Sequence, residues 1–71
     1  MRRPNNIKFE IKHRYSGEVL FSVETESMKL AVEAAIKSKA NLSKADLSKA
    51  NLSKANLSWA NLSWANLYWA N

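Results

Sequence analysis

Cysteine is absent, so no disulfide staples this chain and no thiolate metal site is available to it. Proline and glycine occur once each, so the corners of the fold must be turned by some device other than the usual turn formers. Histidine also occurs once. No apolar run is long enough to cross a bilayer, and none follows the basic start Met1-Arg2-Arg3-Pro4. That pattern argues against a membrane span and an ordinary signal peptide, and a natural chain of this kind is expected in the cytoplasm. At 71 residues there is room for one domain at most. A chain this short buries little core unless it is stapled or oligomerises. The net charge of +5 serves solubility and favours acidic partners at long range.

What the chain does contain falls into two halves that meet near Lys39. In the first, Ile7, Phe9, Ile11, His13 and Tyr15 alternate with Lys8, Glu10, Lys12 and Arg14. Val19, Phe21 and Val23 form a second apolar row, alternating with Leu20, Ser22 and Glu24. Both rows have the period of a half-buried strand. A loop of Ser16-Gly17-Glu18 sets Tyr15 opposite Val19, His13 opposite Phe21 and Ile11 opposite Val23. One face is then mostly apolar, with Gly17 at positive φ in a bulge. A helix is predicted next. Ser27 suits its N-cap, and Met28, Ala31, Val32, Ala35 and Ile36 fall on one face. Leu30 and Ala34 widen that stripe, while Lys37 and Lys39 suit the C-terminal end of the dipole. The predicted β-β-α block, residues 1–39, has its own small core and caps the second half of the chain.

From Ala40 the chain is nearly periodic. It reads Ala-Asn-Leu-Ser-Lys, Ala-Asp-Leu-Ser-Lys, Ala-Asn-Leu-Ser-Lys, then Ala-Asn-Leu-Ser-Trp twice, Ala-Asn-Leu-Tyr-Trp, and Ala70-Asn71. A period of five matches neither a helix face nor a flat strand, but it suits a coil in which each repeat makes one side and one corner. These residues resemble the pentapeptide-repeat family, whose pattern is Ala-(Asp/Asn)-Leu-x-x. The hairpin and helix resemble the amino-terminal block of some bacterial and phage members. The resemblance implies a mainly β fold: a right-handed quadrilateral β-solenoid of about one and a half coils over residues 40–71, with about four repeats per coil. It places Leu42, Leu47, Leu52, Leu57, Leu62 and Leu67 inward as the core, with Ala40, Ala45, Ala50, Ala55, Ala60, Ala65 and Ala70. Asn41, Asp46, Asn51, Asn56, Asn61 and Asn66 then face outward or bond the corner backbone. The last two positions of each repeat are almost constant, unlike the usual family pattern, which points to a designed or consensus-derived sequence.

With four repeats per coil, Trp59 lies over Lys39, Trp64 over Lys44 and Trp69 over Lys49, at a rung spacing of about 4.8 Å. That predicts an ammonium against each indole face. Leu52 and Leu57 have no rung above them, and no cap covers the last coil. Unpaired strand edges and open repeat ends look for partners. Joining two open ends gives a closed two-fold homodimer, with Leu52, Leu57, Trp59, Trp64, Tyr68 and Trp69 as the predicted interface.

Chemistry is not expected. His13 lies on an apolar strand row with no positioned partner, where a structural role fits better than a base or a ligand. There is no glycine-rich phosphate loop, paired-carboxylate context or metal-ligand set, so no cofactor is expected. Arg2, Arg3, Lys8, Lys12 and Arg14 form one basic cluster, and Lys39, Lys44, Lys49 and Lys54 form a row around the first coil. Basic groups interleaved with aromatics can bind nucleic acid or acidic protein. Some members of the family look like duplex DNA and bind topoisomerases. That role needs an acidic rod of several coils, and this chain is basic and short. The sequence therefore reads as a non-catalytic structural protein that assembles with itself, with a natural phage or bacterial binding module as the alternative.

Overall fold

The computed structural model of the chain describes residues 6–71. Its elements in order are β1 (Ile7–His13), β2 (Val19–Thr25), α1 (Met28–Lys37) and the short β3 (Ala45–Asp46). The strands form one sheet in the order β2-β1-β3.

The hairpin is antiparallel, but its register differs from the sequence expectation by two residues. Ile11 faces Phe21 rather than Val23, Phe9 faces Val23, and Lys12 faces Val19. The cause is a larger turn. His13 N–H donates to the Glu18 carbonyl at 2.8 Å, and Gly17 N–H donates to the His13 carbonyl at 3.0 Å. The His13 ring holds the turn from inside, because its Nδ1 accepts from the N–H groups of Tyr15 and Ser16 at 3.1 and 3.2 Å. Tyr15 thus leaves the strand. Gly17 takes φ +77, a value open to glycine at little cost. The pairing jumps from Ile11–Phe21 to Lys12–Val19, so Leu20 is the extra residue of a bulge. A bulge breaks strict alternation. Leu20 and Phe21 both pack on the core, and Val19 is left exposed.

Ser27 caps α1, its Oγ accepting from Leu30 N–H at 3.2 Å. The predicted stripe is the buried one: Ala31, Val32 and Ala35 are inaccessible, and Met28 and Ile36 pack beside them. Leu30 is exposed. At the other end, Lys39 N–H donates to the Ile36 carbonyl and Ala40 N–H to the Ala35 carbonyl, both at 2.9 Å. This pair of bonds makes a Schellman C-cap, a motif that usually places glycine in the left-handed region. Here Lys39 occupies it at φ +60.

The left-handed cap is then repeated at each corner of the periodic half. Lys44, Lys49, Lys54, Trp59, Trp64 and Trp69 have φ between +62 and +69. In each turn the Leu carbonyl accepts from the Ala N–H three residues on, from Leu42–Ala45 to Leu67–Ala70, at 2.9–3.1 Å. A positive φ at the third residue of such a turn, with the second residue on the ordinary side, defines type II. The Asn or Asp of each repeat reinforces the corner. Its Oδ1 accepts from the N–H two residues on, at 3.0–3.3 Å, in all six repeats from Asn41 to Asn66. The corner device that replaces glycine is therefore a side-chain acceptor at one position and a left-handed residue three positions later.

The chain returns to itself after twenty residues. Asn61 Nδ2 donates to Asn41 Oδ1 at 3.2 Å, and Asp46 bridges Asn66 in parallel. Backbone bonds tie the two passes together: Lys44 N–H to Ser63, Leu47 N–H to Asn66, and Lys49 N–H to Tyr68, at 2.8–2.9 Å. β1 in turn pairs with β3 through Lys12–Asp46 and His13–Ala45. The hairpin thus extends the same ladder. One cluster of Ile11, Val32, Ala35, Leu42, Ala45, Leu47 and Leu52 runs through both halves. The expectation of a separate core in the first block does not hold, because the small residues of the α1 stripe let it pack with the inward leucines.

Candidate functional site

The positions singled out in the sequence divide between the core and two surfaces. Leu42, Leu47 and Leu52 are buried, and Leu62 is half-buried against them. Leu57 and Leu67 were expected inward with the others, yet they keep 37% and 46% of their surface exposed. Leu52 was expected both in the core and at the interface; it is 6% exposed and packs in the core.

Beyond Lys54 the chain carries no charged side chain. This stretch presents Leu57, Trp59, Trp64, Leu67, Tyr68 and Trp69 to solvent. Tyr68 and Trp69 meet edge to face, with centroids 5.5 Å apart and planes at 85°, a favoured aromatic geometry. The expected stacking of Trp59, Trp64 and Trp69 on Lys39, Lys44 and Lys49 is not formed. Among the described residues the cation–π contact is Arg14, whose guanidinium lies 4.9 Å from the Tyr15 ring centre. Trp59 is fully exposed. Lysine and tryptophan alike sit on left-handed corners, and an exposed ammonium is compact and strongly hydrated. It keeps its water rather than a lone solvated indole.

The basic cluster of the first half is also divided. Arg2 and Arg3 lie outside the described residues. Lys8 and Lys12 share Glu10, at 3.8 and 3.7 Å. Arg14 is a structural tie that the sequence reading missed. Its N–H donates to the Lys44 carbonyl at 2.7 Å, and its Nη1 donates to the Trp64 carbonyl at 2.8 Å. One residue thus joins the hairpin to both passes of the periodic half. Nothing in the local sequence signals this, because β1 pairs with a segment about thirty residues away.

The sequence of residues 38–71 matches the family model described as Pentapeptide repeats (8 copies). Residues 38–71 are pentapeptide repeats. No curated protein and no solved structure matches the chain. The match opens at Ser38, the C-cap of α1. The first left-handed corner of the pentapeptide segment is therefore the helix terminus itself, and no linker separates the two.

Asp46 is the only acid in the pentapeptide segment. It accepts from the hydroxyl and the N–H of Ser48, at 2.8 and 3.1 Å. Those bonds, with the charge of Arg14, hold its carboxyl below the ordinary value of 3.8. The folded form thus prefers the carboxylate. Its contribution is present above pH 3.8 and is lost as pH falls through the lower folded value. The site is exposed, so the effect is expected below about 1 kcal/mol. Asp46→Asn keeps the acceptor, and it should flatten the acid limb of a urea-midpoint against pH curve. An unchanged limb would show that Asp46 does not titrate with folding.

Where the pentapeptide segment leaves α1, a cleft of about 750 Å³ opens between the helix and the fourth and fifth repeats. Its walls include Glu33, Ile36, Lys37, Lys39 and Trp59. Glu33 reaches across, and its Oε2 accepts from Asn56 N–H at 2.8 Å. Among the described residues no group of three acidic or histidine side chains converges, and no helix is long and apolar enough to cross a membrane.

Proposed function

We propose that the chain is a non-catalytic structural protein that pairs with a second copy through the uncharged face of its pentapeptide segment. In this reading residues 40–71 wind as a right-handed quadrilateral β-solenoid of about one and a half coils, and residues 1–39 cap one end. The observation that carries the reading is the exposure of Leu57, Trp64, Leu67, Tyr68 and Trp69 within a stretch that has no charge. Contiguous apolar surface of this kind marks a contact site, and Trp and Tyr are favoured in such contacts. The opposite end is unlike it. Among the described residues β2 is an edge strand, flanked by Glu18 and Glu26 and carrying Glu24. Edge charges discourage strand addition. Two uncharged faces joined about a two-fold axis form a closed dimer.

Light scattering over a concentration series tests this. The expected mass is that of two 8.1 kDa chains, steady on dilution. Leu67→Lys should return it to one chain with unchanged far-ultraviolet dichroism, since Leu67 is nearly half exposed and a lysine there can reach water. A single-chain mass for the unsubstituted protein at tens of micromolar would sink the reading.

A second reading rests on Lys39, Lys44, Lys49 and Lys54. All four are exposed, and among the described residues none has an acidic partner. They would serve a module that binds nucleic acid or acidic protein. Salt separates the two readings. Apolar pairing tolerates or prefers it, whereas phosphate binding weakens steeply.

A further inference from the structure

We propose that the cleft between the C-terminal half of α1 and the start of the second pass of the pentapeptide segment binds a small planar aromatic anion. The site is separate from the pairing face, since none of Leu57, Trp64, Leu67, Tyr68 and Trp69 lines the cleft.

Its size is right. A volume of about 750 Å³ falls within the range of roughly 300–1,000 Å³ typical of small-molecule sites. Its chemistry is divided in a way that selects for shape and charge. The floor is apolar and low, made by Ile36, Ala40 and Ala60, each half-buried. The two alanines project little, so the floor admits a flat ring. Trp59 stands at the mouth on its left-handed corner with its side chain fully exposed. No protein group covers the indole, so both of its faces are free to stack on a ring lying against the floor.

The charge in the lining favours an anion. Lys37 and Lys39 both line the cleft, and among the described residues neither has an acidic partner. The opposing carboxylate, Glu33, is already held by the Asn56 N–H. Two cations therefore face one committed anion. The C-terminal end of α1 carries the negative end of the helix dipole, which would oppose an anion. Its last carbonyls are taken up, however: those of Ala34, Ala35 and Ile36 accept from Ser38, Ala40 and Lys39. The facing amides of Asn41 and Asn61 are bonded to each other at 3.2 Å, so they offer the ligand less than the lysines do.

Adenosine monophosphate is a suitable probe, carrying a ring and an anionic group on one frame. A Trp64→Phe, Trp69→Phe variant leaves Trp59 as the only indole and makes its fluorescence a local reporter. Saturable quenching by the monophosphate is expected. Adenosine, which lacks the anion, should bind at least about tenfold more weakly, and inorganic phosphate should leave the signal unchanged. Lys37→Gln with Lys39→Asn should weaken the monophosphate by at least about tenfold. Asparagine is chosen at position 39 because it tolerates positive φ, and unchanged dichroism would show that the fold survives. Absence of saturation up to about 10 mM would overturn the proposal. So would equal binding of adenosine, or indifference to loss of the two lysines. Light scattering on the unsubstituted protein, with and without the monophosphate, reports the pairing state separately, so the failure of one reading is not mistaken for failure of the other.

Discussion

Leu47→Ala is expected to remove about half of the folding free energy of the chain. Leu47 is 1% exposed and lies in the cluster that joins Ile11, Val32 and Ala35 to the inward leucines. A leucine deleted to alanine in such a place costs about 2–5 kcal/mol, from lost transfer energy plus the cavity that remains. A chain of this length has only about 4–10 kcal/mol in all, at about 0.05–0.15 kcal/mol per residue. The same substitution at Leu67, 46% exposed, should cost about 1 kcal/mol, since only about half of that side chain leaves water on folding and no closed cavity remains. Urea denaturation of both variants under conditions that fix the association state checks the contrast. Equal losses at the two positions would show that the leucines do not share a core centred on Leu47. The contiguous cluster also implies one cooperative transition. The hairpin, α1 and the repeats should lose structure together in the Leu47→Ala protein, whichever half a probe reports.

That single core separates what the sequence shows from what it hides. The helix was legible because its signals are local: Ser27 at the cap, Ala31, Val32 and Ala35 on one face, and Lys37 in the last turn. The repeat was legible because its period is five without interruption, and its Asn and Asp residues are known corner acceptors. The hairpin register was not. Moving the pairing by two residues leaves every side chain on the same face of the sheet. Ile11 meets an apolar partner whether it faces Phe21 or Val23, so patterning could not choose. The choice is made by the His13 ring accepting two backbone N–H groups inside the turn. A histidine in an alternating row gives no sign of that role. Arg14 was hidden for a related reason. Its partners, the carbonyls of Lys44 and Trp64, are brought to it only by the pairing of β1 with β3. The cleft beside Trp59 likewise exists only once α1 has been placed against the fourth and fifth repeats.

The corners carry the remaining surprise and the second large effect. Glycine at the fifth position of each repeat would have announced a left-handed turn. Lysine and tryptophan stand there instead, and their chemistry points to surface contact rather than to backbone shape. Lys49→Pro is expected to unfold the chain or cost about 3 kcal/mol or more. The proline ring holds φ near −65°, while Lys49 sits at φ +64. The substitution also removes the N–H that donates to the Tyr68 carbonyl at 2.8 Å, one of the bonds between the two passes. Lys49→Gly keeps that bond and releases a left-handed penalty of about 1–2 kcal/mol. The gain is offset by about 0.5–1 kcal/mol of extra freedom in the unfolded chain. The net effect should lie between about zero and 1.5 kcal/mol of stabilisation. Lys49→Val separates backbone shape from side-chain loss, because it removes the ammonium as glycine does but resists positive φ. Thermal or urea unfolding should rank the four proteins glycine, lysine, valine, proline, from most to least stable. If valine matched glycine, the left-handed corner would not be setting the stability of the coil. If proline were tolerated, the turn at Leu47–Ala50 would have to be of another type, and the ladder from Lys49 to Tyr68 would not be holding the second pass against the first.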